Sequence, residues 1–125
     1  MRVWVRKDVV CALHDEQLAE HGGSPGIRDE GMLDSALGRP ENLEAYGDPP
    51  PDLADLAAAY AFGLAKNHPF IDGNKRVSMV VTETFIELNG RQLTAMNAEI
   101  VATWLALASG EMDEAAMAAW IRARI

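Results

Sequence analysis

A single cysteine among 125 residues excludes an internal disulfide, and with it the small folds that depend on disulfide staples. Cys11 falls in an apolar helical stretch and reads as a small buried hydrophobe rather than a nucleophile. Aromatic residues are also sparse, at 6% of a chain that is 49% hydrophobic, and much of the apolar content is alanine. That balance argues against a sandwich of strands and for closely packed helices. Positive charge is scarce: 11 Lys and Arg stand against 19 Asp and Glu, a formal net charge of −8. Such a surface repels phosphate backbones, so no direct DNA or RNA binding is expected. A nucleotide, which needs only a few local donors, is not excluded. No run approaches the ~18–20 apolar residues of a membrane span. The stretch Met1–Asp8 lacks the apolar core and cleavage site of a signal peptide, so the expected location is cytoplasmic. With no repeat, low-complexity tract or shift in composition to mark a linker, residues 1–125 read as one domain.

What is present is helical periodicity punctuated by glycine and proline. After a short extended lead-in over residues 1–5, a helix is expected from Lys7 to His21, stopped by Gly22-Gly23, with a turn at Ser24-Pro25-Gly26. Asp29 is placed to cap a short helix carrying Met32, Leu33, Ala36 and Leu37. From Gly38 to Pro51 the glycines and prolines suggest an irregular loop, either a plain connection or a flap over a site. Asp52 begins a helix with Leu53, Leu56, Ala57, Tyr60 and Leu64 on one face, ending near Asn67 ahead of Pro69. Another runs from Asn74 to Leu88 with Val77, Val80, Val81, Phe85 and Leu88 inward and Asn89-Gly90 as its stop. Thr94 or Asn97 would cap a helix bearing Ile100, Val101, Trp104, Leu105 and Ala108, closed by Gly110. A last helix starts near Asp113 and presents Met117, Trp120 and Ile121. Trp4, Trp104 and Trp120 read as packing residues. The fold class expected is all-α, a bundle of about six helices.

Chemistry concentrates between the two best-defined helices, in His68-Pro69-Phe70-Ile71-Asp72-Gly73-Asn74-Lys75-Arg76. Gly73 lets a ligand approach the backbone closely. The helix that begins just after it presents N–H groups without internal partners, a ready anion site. Asn74, Lys75 and Arg76 add donors at the same end. Two cations there oppose the helix dipole, a local conflict that a bound phosphate would resolve. Asp72 is either an N-cap or, beside phosphate oxygens, a ligand for Mg²⁺. A lone histidine is more often structural than catalytic, but His68 stands a short loop away from this anion site, where a general base could take a proton from an attacking hydroxyl. A metal-hydrolase reading of His68 and Asp72 is weaker, since Pro69 and Gly73 interrupt any shared helix and few further ligands exist. His14 and His21, in the first helix, read as structural or surface residues. No G-x-x-x-x-G-K-S/T loop occurs, so a nucleotide would bind in another way.

This segment resembles the core motif of the Fic/Doc family, His-Pro-Phe-x-Asp/Glu-Gly-Asn-Gly/Lys-Arg between two helices. The likeness extends over nearly the whole chain. Gly23 to Gly31, Ala36 to Pro40, Phe85 to Gly90, Ala108-Ser109-Gly110 and Trp120 are similar to the death-on-curing branch, the toxins of toxin–antitoxin pairs. The resemblance implies His68 as general base, Phe70 as anchor and Asp72 as the Mg²⁺ ligand. It implies Gly73, Asn74, Lys75 and Arg76 as the cradle for ATP phosphates. It also implies a protein substrate, elongation factor Tu in the death-on-curing branch, and a cognate antitoxin docked on the toxin. Typical family members transfer AMP to a protein hydroxyl, whereas the death-on-curing branch transfers phosphate. Lys75 stands where AMP-transferring members usually have glycine, and Met79 replaces a second phosphate-binding arginine; both favour phosphate transfer. Pro69 and Gly73, in contrast, match ordinary Fic cores and differ from the phage-borne toxin. No S/T-x-x-x-E-G/N inhibitory helix is present, so inhibition would come from a separate chain. AMP transfer and a catalytically inactive partner-binding module remain the alternatives.

Overall fold

The computed structural model describes all 125 residues as six helices without strands. In chain order these are α1 (Lys7–His21), α2 (Glu30–Tyr46), α3 (Leu53–Asn67), α4 (Asn74–Leu88), α5 (Asn97–Ser109) and α6 (Glu114–Arg122). None is long and apolar enough to cross a membrane.

The centre of the bundle is α3, which touches α2, α4, α5 and α6. Its sequence explains why it can be surrounded: alanines and Gly63 let neighbouring helices approach, and every residue from Leu56 to Ala61 is buried. A Cβ built on Gly63 would lie 3.2 Å from Ala36 Cα, so α2 and α3 meet almost backbone to backbone. The helix is started by a capping box, Asp52 Oδ1 accepting from Asp55 N at 2.9 Å and Asp55 Oδ2 from Asp52 N at 3.0 Å. Arg122 of α6 clamps both carboxylates. Asp29 caps α2 and Asp113 caps α6, as their positions predict.

Five expectations are corrected. The irregular loop expected over residues 38–51 is mostly helix, because α2 runs on to Tyr46 through Gly38 and Pro40. Leu33, Ala36 and Pro40 are buried, with Leu37 and Leu43 packed at the core's edge, so tertiary burial against α3 outweighs the two helix breakers. The inward face of α5 is rotated from the one expected: Thr103 and Leu107 are buried beside Ile100 and Trp104, while Val101 and Leu105 are exposed. Neither Thr94 nor Asn97 caps that helix; Met96 holds the N-cap position with no side-chain bond, and Thr94 N–H instead donates to Arg124 O at 2.8 Å. On α4, Leu88 is exposed and Val80 half-buried, whereas Ser78, Thr82 and Ile86 are buried. Cys11 is half-buried rather than enclosed, and partial burial pushes its thiol up from its ordinary value.

The tryptophans pack helices, as expected. Trp4 stacks on Phe85 with ring centroids 5.8 Å apart, and Trp104 meets Trp120 edge-on at 6.0 Å. The lead-in is tied down by the Asn89 amide, which donates to Val3 O and accepts from Val3 N, both at 2.9 Å.

Candidate active site

The chain leaves α3 through His68, the one non-glycine residue with positive φ (φ 47°, ψ 55°). A left-handed residue at a helix C-terminus costs energy for any side chain but glycine, and here Arg28 holds the turn. Its Nε donates to His68 O at 2.6 Å and its Nη2 to Asn67 O at 2.8 Å, satisfying two carbonyls left over at the end of α3. The His68 side chain is exposed.

The α1–α2 connection runs alongside the next residues as a splint. Arg28 N and Asp29 N both donate to Pro69 O, at 2.7 and 3.1 Å, and Ile71 N donates to Gly26 O at 3.0 Å, with a single antiparallel bridge between Ile27 and Phe70. Phe70 is buried and stacks on the His14 ring. The Asn74 carboxamide folds back on Phe70, accepting from its N–H at 3.0 Å and donating to its carbonyl at 2.9 Å. The amide expected among the phosphate donors is therefore occupied in closing the loop, and Asn74 offers a ligand its backbone N–H.

Gly73 is the N-cap of α4, at φ +79°. Asp72 is thus one position too early to cap the helix, and the N-cap reading of it falls. Its carboxylate turns outward instead, Oδ1 accepting from Gly73 N at 2.9 Å and Oδ2 from Ser24 N at 3.2 Å. Gly23 makes room for it: a Cβ there would stand 2.9 Å from Asp72 Oδ2. Asp72 remains exposed, with lone pairs free for a cation. No group of three or more His, Cys, Asp or Glu is placed to hold a metal. Asp72 alone would suit Mg²⁺ only with phosphate oxygens and water completing the shell, the way that ion is usually bound.

The backbone N–H groups of Asn74, Lys75 and Arg76 have no acceptor in the protein. Lys75 and Arg76 are exposed and pair with no carboxylate. This sets them apart from Arg2, Arg6, Lys7, Arg39, Arg122 and Arg124, each of which does. On a protein of net charge −8, two unpaired cations at an open helix N-terminus are suited to an anion.

All six residues singled out in the sequence line one cleft of about 450 Å³: His68, Asp72, Gly73, Asn74, Lys75 and Arg76, with Ile71 and, from the end of α5, Ala108. A larger groove of about 500 Å³ between α2, α3 and α6 holds no histidine, and its Arg39 and Glu114 are paired with each other. Sequence reasoning missed the supports Ser24, Arg28 and His14 as parts of this site. Only the double glycine at 22–23 hinted that a chain passes close by.

An all-helical bundle whose cleft joins an exposed histidine, a lone carboxylate and an unsatisfied helix N-terminus has the form of an anion-binding site with a titratable side chain beside it. The chain matches the Fic/DOC family over residues 4–86. It is 47% identical over 75 residues to a protein named Toxin Doc from Mycolicibacterium smegmatis, a stretch covering 59% of this chain and 57% of that protein. It is 30% identical over 118 residues to Protein kinase doc of Escherichia phage P1, covering 94% of this chain and 92% of the phage protein. The chain belongs to the Fic/DOC family.

Proposed function

We propose that this protein is a Doc-type toxin that transfers the terminal phosphate of ATP to a hydroxyl on a protein target. The observation that carries this reading is the cleft in which the acceptor-free N–H groups of Asn74, Lys75 and Arg76 share space with His68 and Asp72. The names of the two relatives, a toxin and a protein kinase, support it.

In this reading, Gly73, the three N–H groups and the Lys75 and Arg76 side chains seat the phosphates. His68, held at its backbone by Arg28, takes the proton of the attacking hydroxyl. The hydroxyl oxygen forms a bond to the terminal phosphorus as the bond to the bridging oxygen breaks, and ADP leaves. Asp72 would hold Mg²⁺, which when bound neutralises phosphate charge. The long Lys75 side chain crowds the cleft where glycine would leave it open, which favours presenting the terminal phosphate to the target. The target expected from the death-on-curing likeness is elongation factor Tu, with arrest of translation and neutralisation by a cognate antitoxin.

The test is transfer from ATP labelled at the α- or γ-phosphate into bacterial lysate, with Mg²⁺ and a His68→Ala control. Label from γ alone, lost in the control, is expected. Losing a general base costs about 10²–10⁴-fold in rate. Label from α would instead establish AMP transfer. A His68→Ala protein as active or as toxic to cells as the parent would refute His68 as the base.

A further inference from the structure

Histidine 14 lies on α1, 58 positions from the residue it bonds, and its side chain is buried with 2% of its surface exposed. We infer that His14 is a positioning residue, which sets the Asp72 carboxylate and the mouth of the phosphate cradle through a single peptide plane. This rests on the site proposed above.

Two contacts define its role. The imidazole stacks on Phe70, centroids 3.8 Å apart and planes 13° from parallel. Its Nε2 lies 2.8 Å from Asp72 O. A carbonyl can only accept, so Nε2 carries the proton and donates.

The consequence follows from peptide planarity. In a trans peptide the carbonyl of one residue and the N–H of the next point in opposite directions and cannot turn independently. Drawing Asp72 C=O inward to His14 therefore turns Gly73 N–H outward, toward the cleft. There it donates to Asp72 Oδ1 at 2.9 Å and holds the carboxylate beside the first turn of α4. Gly73 is also the left-handed N-cap from which that turn starts, so this peptide adjoins the open N–H groups. A Cβ on Gly73 would sit 3.6 Å from His14 Nε2, so the ring forms the floor under the glycine. Stacking alone could be supplied by any flat apolar ring. The inward N–H is what an apolar ring cannot supply.

The test separates the two contacts. His14→Phe keeps the flat ring on Phe70 and removes the donor; His14→Gln keeps an N–H at similar reach and removes the stack. Three readouts are taken on the full-length protein: thermal stability, the amide resonance of Gly73 in a ¹⁵N-labelled sample, and kcat with the KM for ATP in the transfer assay. His14→Phe is expected to stay folded, to move the Gly73 amide resonance, and to lose kcat about 10–100-fold, the usual effect of removing a hydrogen bond that orients a site residue. His14→Gln is expected to leave that resonance nearer its parental position and recover most of the rate despite lower stability. An unmoved Gly73 resonance in His14→Phe overturns the inference, as does activity that falls in step with stability across both variants. The resonance depends neither on ligand nor on turnover. It therefore decides the role of His14 even where the transfer assay refutes the proposed reaction.

Discussion

Replacing Ser78 by alanine removes one buried oxygen on which three helices converge. Ser78 Oγ, fully buried on α4, donates to Ala61 O on α3 at 2.8 Å and accepts from Trp104 Nε1 on α5 at 2.9 Å. The Ala61 carbonyl lies inside α3 and keeps its place in the helical ladder, so little is lost there. The indole N–H has no such reserve. Trp104 is 1% exposed, and water cannot reach it without opening the α4–α5 packing. An orphaned buried donor costs about 1–3 kcal/mol. For a chain of this length that corresponds to a fall in Tm of about 4–11 °C. Thermal and urea denaturation of the parent, Ser78→Ala, Trp104→Phe and the double variant would measure it. In the Trp104→Phe background the serine no longer holds an indole, and its loss should cost less than half as much. Equal costs in both backgrounds, within about 0.3 kcal/mol, would refute the reasoning, since independent sites add to that accuracy.

Three further outcomes follow from other parts of the structure. Gly23→Ala forces a side chain at φ +126° and sets its Cβ 2.9 Å from Asp72 Oδ2; a stability loss of about 1–2 kcal/mol is expected, with a larger proportional loss of transfer activity than of folded protein. Arg28→Ala frees the carbonyls of Asn67 and His68; the melting point should fall by a few degrees, about 1 kcal/mol, and the rate by more than stability explains, read by assaying fully folded protein. Burial pushes the Tyr60 hydroxyl up to about 12. A phenol that keeps its proton more tightly when folded contributes stability that is whole below about pH 10 and is lost as pH rises toward 12. Denaturation midpoints followed from pH 8 to 12 should show that loss in the parent and a smaller one in Tyr60→Phe.

Much of this molecule was legible in its residues. Caps and apolar periods located α1, α3, α4 and α6 to within a residue or so, because Asp52, Asp113, Gly22 and the His68-Pro69 break act locally. The nine residues from His68 to Arg76 announced the cleft for the same reason: a glycine before a helix N-terminus, with cations beside it, is a short-range arrangement. Only tertiary structure decided the rest. Gly38 and Pro40 read as breakers, yet α2 continues because burial against α3 outweighs a local preference. The face of α5 could not be chosen from a helix apolar on two sides, and the buried Ser78 and Trp104 pair chose it. The Asn74 amide turned from ligand donor to loop clasp because Phe70 offered both backbone groups at the right reach. His14 and Arg28 are ordinary residues in their own segments and acquire their roles only where the chain folds back across α3 and α4. The sequence by itself determined which residues could do chemistry, since that is a matter of functional groups at close spacing. Which residues hold them in position depends on contacts between segments 40 to 58 residues apart, and no local pattern encodes those.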